Sequence, residues 1–336
     1  MAKDWSDKRV LVTGGAGFIG SAVVWQLNRL GCDDILVTDM LGTCDKWVNL
    51  RALRFDDYLE ADEFMERLRA KPSAFGRFDT VIHLGACSST TERDAAFLAR
   101  NNYGYTRDLA EWALRREARF VYASSAATYG DGSSGMEDAL EGLERLRPLN
   151  MYGYSKHLFD LHARRRGMLR RIAGLKYFNV FGPNEGHKGD MRSVVAKGYE
   201  QIRATGRISL FKSHRPEYGD GQQARDFLYV KDAAAMTVHL AGRSRANGLF
   251  NLGSGTARTW LDLAGAIFAA LGRAPAIDFV EMPEAIRERY QYFTRAGIAR
   301  LRGAGYGAAV TSLEEAVGDY VKNYLVPGRL LGDEGA

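Results

Sequence analysis

The stretch TGGAGFIGSAVVWQL, Thr13 to Leu27, follows the apolar run VLV directly and opens a segment with helical spacing of apolar residues. Gly14 can take a tight turn, Gly17 lets a pyrophosphate approach the backbone, and Gly20 allows the helix to pack closely on the strand. The helix N-terminus then faces the diphosphate with its unpaired N–H groups. Three glycines alone would serve a structural turn equally well. The strand before them, the helix after them and Asp39, nineteen residues beyond Gly20, decide for a dinucleotide-binding unit. Asp39 ends the second strand, where an acid bonds the ribose 2′-hydroxyl and favours NAD; Lys46, shortly afterwards, could instead meet a 2′-phosphate, so both NAD and NADP stay open on these residues.

Working outward, β-branched apolar runs recur at 9–15, 34–39, 80–86, 119–125 and 174–182, separated by longer amphipathic segments. Short continuous apolar strands alternating with helices predict a doubly wound parallel α/β sheet, Rossmann-like and covered on both faces. After Gly182 the pattern changes: helices are expected over 193–206 and 260–272, with short, isolated strands at 207–211, 226–230 and 277–282. The expected division is a dinucleotide-binding domain of residues 1–178 with parts of 226–260, a smaller mixed α/β substrate region of 179–225 with 261–326, and a flexible tail of 327–336.

Composition excludes several classes. Of 336 residues, 46% are hydrophobic and 26% charged, the balance of an ordinary globular protein rather than a disordered or fibrous one. No run approaches the ~18 apolar residues that span a membrane, and the start lacks a signal-peptide apolar region, so a cytoplasmic protein with no membrane partner is expected. The net charge of +5 is scattered, with Arg115-Arg116 and Arg164-Arg165-Arg166 on helix faces; no nucleic-acid module is present, and a small polyanionic ligand suits the excess. Cys32, Cys44 and Cys87 match neither a disulfide framework nor a metal ligand set and are read as reduced and structural.

The fourth of the first-listed runs ends in ASSAATYG, and a helix is expected from near Asn150 through NMYGYSKHLFDLHA. Tyr152 and Lys156 are one turn apart on one helical face. An ammonium beside a phenol favours the phenolate and brings the phenol towards a usable general base. Ser125 could hold a substrate oxygen while a nicotinamide takes hydride. An isolated Tyr–Lys pair is more often a surface pair; the glycine turn and the serine at a strand end give this one a catalytic reading.

TGGAGFIG, ASSAATYG, YGYSK, FNVFGP, RDFLYVKD and FNLGSG together resemble the extended short-chain dehydrogenase/reductases that act on nucleotide-sugars, from Arg9 to about Leu325. In that family Ser125, Tyr152 and Lys156 match the catalytic serine, tyrosine and lysine. The longer stretches LGACSSTTERD, PLNMYGYSKHLFD and FNVFGPNEGHKGDM resemble its branch that epimerises ADP-heptose for lipopolysaccharide inner-core synthesis. That resemblance implies transient oxidation at C6 and re-reduction on the opposite face by one bound NADP, in a homo-oligomer, a pentamer. It implies a second base matching Lys188, which composition alone would leave as a loop lysine; burial or a neighbouring cation, with His187 adjacent, could lower its pKa. It also implies cofactor contacts at Phe18, Ile19, Asp39, Met40, Lys46, Leu84, Gly85, Ala86, Cys87, Ser88, Asn101, Lys156, Val180 and Lys188. Substrate contacts are implied at Asn179, Asp190, Lys197, Phe211, Lys212, Ser213, His214, Arg225 and Tyr290. Arg225 suits a diphosphate, its structural alternative being a salt bridge to Asp226 or Asp232. Asp190, Met40 and Lys197 depart from the residue types usual at those positions.

Rival readings are a UDP-hexose 4-epimerase of the same fold and a catalytically silent NADP-binding regulator. The intact Ser125, Tyr152 and Lys156 argue against the regulator. Ala126 and Ala127 cannot transfer protons, which argues against a dehydratase.

Overall fold

The computed structural model describes residues 4–287 and 290–333. Its first half alternates strands and helices: β1 (Val10–Thr13), α1 (Phe18–Arg29), β2 (Ile35–Asp39), β3 (Asp57–Glu60), α2 (Ala61–Ala70), β4 (Thr80–His83), the short α3 (Ala95–Leu98), α4 (Tyr105–Arg115), β5 (Arg119–Ser125), α5 (Met151–Arg165) and β6 (Ala173–Tyr177). Then come β7 (Asn179–Phe181), α6 (Val194–Thr205), β8 (Ile208–Phe211), β9 (Ala224–Tyr229), α7 (Val230–Ala241), β10 (Gly248–Leu252), β11 (Ala257–Thr259), α8 (Trp260–Ala270) and β12 (Ile277–Val280).

Seven strands form one sheet in the order β10-β6-β5-β4-β1-β2-β3, every pairing parallel. The strand pleat explains its two-sided burial. Val10, Val12, Ile35, Val37, Ile82 and Val121 pack with the side chains of α1 and α7. Their alternates Leu11, Leu36, Val81, Phe120 and Tyr122 pack with those of α2, α4 and α5. Each such side chain contributes about 1.5–3 kcal/mol on burial. The strand order reverses between β1 and β4, where an open α/β sheet forms its crevice.

The later strands are not isolated. β8 pairs with β12 in parallel, and β9 lies between β7 and β11. The run 174–182 breaks at Phe178, so β6 stays in the large sheet while β7 enters the three-stranded one. β3 was not expected: Asp57 and Glu60 are exposed at its ends, and it carries no apolar run. The serine-bearing strand is therefore fifth along the chain. α6 and α8 match the expected helices, α6 capped by the Ser193 hydroxyl and ended by Gly206 at φ +77°, α8 opened by a Thr259–Asp262 capping box.

The expected flexible tail is instead anchored as far as it is described. Leu331 is buried, its N–H donates to Asn184 Oδ1 at 2.9 Å, and Asp333 pairs with Arg51 at 3.0 Å. Residues 334–336 lie outside the described residues. No described helix is long and apolar enough to cross a membrane.

Candidate active site

The glycine-rich turn sits where β1 ends. Gly14 is left-handed at φ +70°, and a Cβ there would lie 2.6 Å from Gly85 N, so the turn can press against the end of β4 only with glycine. A Cβ on Gly20 would lie 1.9 Å from Gly14 O, so α1 packs on the turn itself. Gly17 caps α1 without a side-chain hydrogen bond. The first-turn N–H groups thus face the crevice without a side-chain cap, the arrangement that receives a phosphate.

Asp39 does more than await a ribose. Its Oδ2 accepts from the N–H groups of Ala16 (2.9 Å) and Gly17 (3.0 Å), and its Oδ1 from Met40 N–H (2.7 Å) and Lys46 Nζ (2.9 Å). The carboxylate holds the turn in shape and is neutralised by Lys46. One cavity above the strand ends gathers Gly14, Gly17, Phe18, Ile19, Gly20, Asp39, Lys46, Leu84, Gly85, Ala86, Ser88, Ser125, Tyr152, Lys156, Val180 and Lys188. A second, sharing Gly14, Asp39, Lys46, Gly85 and Ala86, adds Met40, Cys87 and Asn101 along with Arg69 and Arg100. The two together make an elongated cleft whose turn, free N–H groups and basic end fit a dinucleotide.

Tyr152 and Lys156 reach this cleft from the start of α5. Asn150 Oδ1 caps the helix by accepting from Gly153 N–H at 2.8 Å. Deeper, Asp160 is fully buried and accepts from Lys176 Nζ (3.0 Å), Tyr122 OH (2.8 Å) and Ser124 Oγ (2.8 Å), which ties α5 to β5 and β6. Breaking such a buried pair costs about 3–5 kcal/mol, so the helix register is firmly set. Burial pulls the Lys156 ammonium down to about 8, with Asp160 and Cys87 opposing. Burial raises the Tyr152 phenol, and a hydrogen bond with Ser125 draws it back.

Lys188 comes from the other side. It lies on the helical turn Gly186–Met191 after β7, with Nζ 5.0 Å from the Phe18 ring centroid on α1. Tyr152 and Lys188 therefore line one cavity, Tyr152 from α5 on one face of the large sheet and Lys188 from a turn that leans on α1 of the other. Burial lowers the Lys188 pKa, with Glu185 opposing. His187 is not the cause as a cation: burial, then Lys46 and Lys188, push it to about 4, so it is neutral at physiological pH. Of the two loop glycines, Gly189 is left-handed at φ +53°, whereas Gly186 is not.

The expected substrate contacts are more dispersed. Lys197, Phe211 and Tyr290 line a third, largely apolar cavity with Trp260 and Gln201. Arg225 is buried beside it, its guanidinium 4.9 Å from the Tyr290 ring and 5.9 Å from Trp260. Neither expected acid pairs with it: Asp226 accepts from Ser254, Gly255 and Ala296, and Asp232 from Thr311. Among the described residues its one hydrogen-bond acceptor is the carbonyl of Ala224, and burial lowers its pKa. A buried guanidinium without a carboxylate keeps donors that can serve an anion. Lys212 and His214 face Glu281 at 2.8 and 3.5 Å, Ser213 donates to the Arg215 carbonyl, and Asp190 accepts from Lys197 through its backbone carbonyl. Asn179 is exposed on β7.

Asn49, Asn184, Glu185 and Trp260 also shape the site, and sequence reasoning assigned none of them a place in it. Only the aromatic at the start of α8 carried a local signal. Asn49 and Asn184 are single polar residues whose partners are remote in the chain, and Glu185 bonds Ser193 eight residues on.

Comparison with known proteins accords with this geometry. Residues 10–253 match the NAD dependent epimerase/dehydratase family. The ADP-L-glycero-D-manno-heptose-6-epimerase of Nitratidesulfovibrio vulgaris is 53% identical over 94% of this chain and 97% of its own. That of Fusobacterium nucleatum is 45% identical over 94% and 98%. Among solved structures, the Helicobacter pylori ADP-L-glycero-D-manno-heptose-6-epimerase superposes with a TM-score of 0.80 at 25% identity, covering 96% of this chain and 98% of that one. A UDP-N-acetylglucosamine 4-epimerase from Methanobrevibacter ruminantium superposes almost as well, at 0.79, 25% identity and 96% and 99% coverage, so the fold alone does not choose the sugar. With its family match and these relatives spanning nearly the whole chain, this protein belongs to the NAD dependent epimerase/dehydratase family.

Proposed function

We propose that this protein inverts C6 of ADP-D-glycero-β-D-manno-heptose to give ADP-L-glycero-β-D-manno-heptose, with NADP held throughout, for lipopolysaccharide inner-core synthesis. The observation that carries the reading is the entry of two acid/base side chains, Tyr152 and Lys188, into one cavity from opposite faces of the sheet. A plain dehydrogenase needs one such group; inversion of a secondary alcohol through its ketone needs one for each face. Bound nicotinamide supplies the acceptance of hydride from C6 and its return. Tyr152 takes the hydroxyl proton of one epimer, aided by the adjacent Lys156 ammonium, and Ser125 holds the oxygen. Lys188, its pKa lowered by burial, gives a proton to the re-formed alkoxide of the other epimer. The reverse direction exchanges the two roles.

Asp39 and Lys46 support NADP. The acid that would receive a ribose 2′-hydroxyl already carries four hydrogen bonds, and Lys46 with Arg69 and Arg100 offers positive charge to a 2′-phosphate. Lys46→Ala removes the phosphate partner and frees the Asp39 charge, which repels phosphate. The preference for NADP over NAD is expected to fall about 10- to 100-fold, the worth of a charge-assisted hydrogen bond; titration of cofactor-stripped protein with each dinucleotide checks this.

Arg225, between Tyr290 and Trp260, is the partner for the ADP diphosphate. Arg225→Ala should raise KM about 10- to 100-fold with a smaller change in kcat, which steady-state kinetics would reveal. The function itself is tested by incubating purified protein with ADP-D-glycero-β-D-manno-heptose and, separately, UDP-glucose, without added cofactor. Inversion at C6 of the heptose is the expected result; turnover of UDP-glucose alone would replace it with the hexose 4-epimerase reading.

A further inference from the structure

The loop that carries Lys188 is held down by a residue distant from it in the chain. Asn49 belongs to the 3₁₀ segment Asp45–Leu50 and is buried. Its Nδ2 lies 2.9 Å from the carbonyl of Ala16, 3.1 Å from the carbonyl of Asn184 and 3.2 Å from His187 Nδ1. Ala16 lies in the glycine-rich turn; Asn184 precedes the Lys188 turn and His187 lies in it, next to Lys188. The amide has two hydrogens for three acceptors, so one is shared. His187 Nδ1 accepts only when the ring is neutral with its proton on Nε2, and the ring is neutral at physiological pH.

Neighbouring bonds fasten the loop to α1 and to the start of α6, and among the described residues Asn49 links it to the cofactor turn. Asn184 is itself left-handed at φ +73° and donates through Nδ2 to Ser21 Oγ on α1 at 3.0 Å. At the far end Ser193 donates through its N–H and hydroxyl back to Glu185. Lys188 lies between these anchors, over Phe18. The segment that presents Asn49 also presents Lys46 to Asp39, so one short element touches the basic end of the cleft and the Lys188 turn.

We propose that Asn49 is a positioning residue for Lys188: its carboxamide fastens the 184–188 loop to the glycine-rich turn and so holds Lys188 on the face of the site opposite Tyr152. This rests on Lys188 acting as the second acid/base group. An alanine at 49 cannot donate, and an aspartate of the same shape turns an oxygen towards acceptors. Either change removes this link to the glycine-rich turn without touching Tyr152, Lys156 or Ser125.

The test follows reduction of bound cofactor by nicotinamide absorbance in single turnovers begun from each C6 epimer, with Asn49→Ala, Asn49→Asp and Lys188→Met proteins that retain cofactor. In the Asn49 variants the epimer served by Lys188 should react about 10- to 100-fold more slowly, the effect of displacing a reacting group by about 1 Å. The epimer served by Tyr152 should stay within about twofold of wild type, since its own groups are undisturbed. Equal slowing of both epimers, slowing of neither, or loss of cofactor from both Asn49 variants would mean that Asn49 only supports the fold. If Lys188→Met is selective and the Asn49 variants are not, this inference fails alone; if Lys188→Met is itself not selective, the two-base reading fails and this inference with it.

Discussion

Tyr152→Phe is expected to lower the rate of C6 inversion by about 10²- to 10⁴-fold, the usual contribution of a general base, while the protein keeps its cofactor. The phenol stands in the first turn of α5, in the same cavity as Ser125 and one turn from Lys156. Phenylalanine preserves the ring's packing and removes only the proton acceptor. Neither the glycine turn nor the Asp160 anchor is disturbed, so bound nicotinamide should persist through gel filtration. The companion effect is on pH. Lys156 loses its proton near about 8, and its positive charge is what favours the phenolate. The wild-type rate should therefore fall as pH rises through about 8. Lys156→Arg, whose guanidinium keeps its proton there, should lose that alkaline limb, as a pH–rate profile of both proteins would reveal.

Lys188→Met should cost about 10²- to 10⁴-fold in inversion on the same reasoning, but with a different signature. Methionine matches the stem of lysine and can rest on the Phe18 ring, so the turn should keep its place. One epimer should still reduce the bound cofactor at the wild-type rate, because Tyr152 serves it unaided. The other should not. A Lys188→Met protein that folds, holds NADP and inverts the sugar at the wild-type rate would remove Lys188 as the second base.

Much of this was legible in the sequence for identifiable reasons. β1, the glycine turn and α1 are contiguous, so their periodicity and spacing expose a dinucleotide unit. Ser125, Tyr152 and Lys156 stand at a strand end and on one helical face, and the same local logic brings them together. Lys188 needed the EGHKG resemblance, because a loop lysine has no pattern; its half-buried place over Phe18 is a tertiary fact. Asn49 was silent: its partner Asn184 is remote in the chain, and a single asparagine in KWVNL looks like any solvated residue. β3 escaped because DYLE lacks an apolar run, and the tail seemed free because the burial of Leu331 depends on α1-side neighbours. The absence of an acid beside Arg225 could not be read from a sequence that places Asp226 next to it; the fold turns that carboxylate towards the N–H groups of 254, 255 and 296.

The central claim, inversion by removal and return of one hydride at C6, is tested most directly with ADP-D-glycero-β-D-manno-heptose carrying deuterium at C6. With purified protein in ordinary water and no added cofactor, the L-glycero product should keep its deuterium at C6. A product that has exchanged that deuterium for solvent hydrogen, or a substrate that is never inverted, would contradict it.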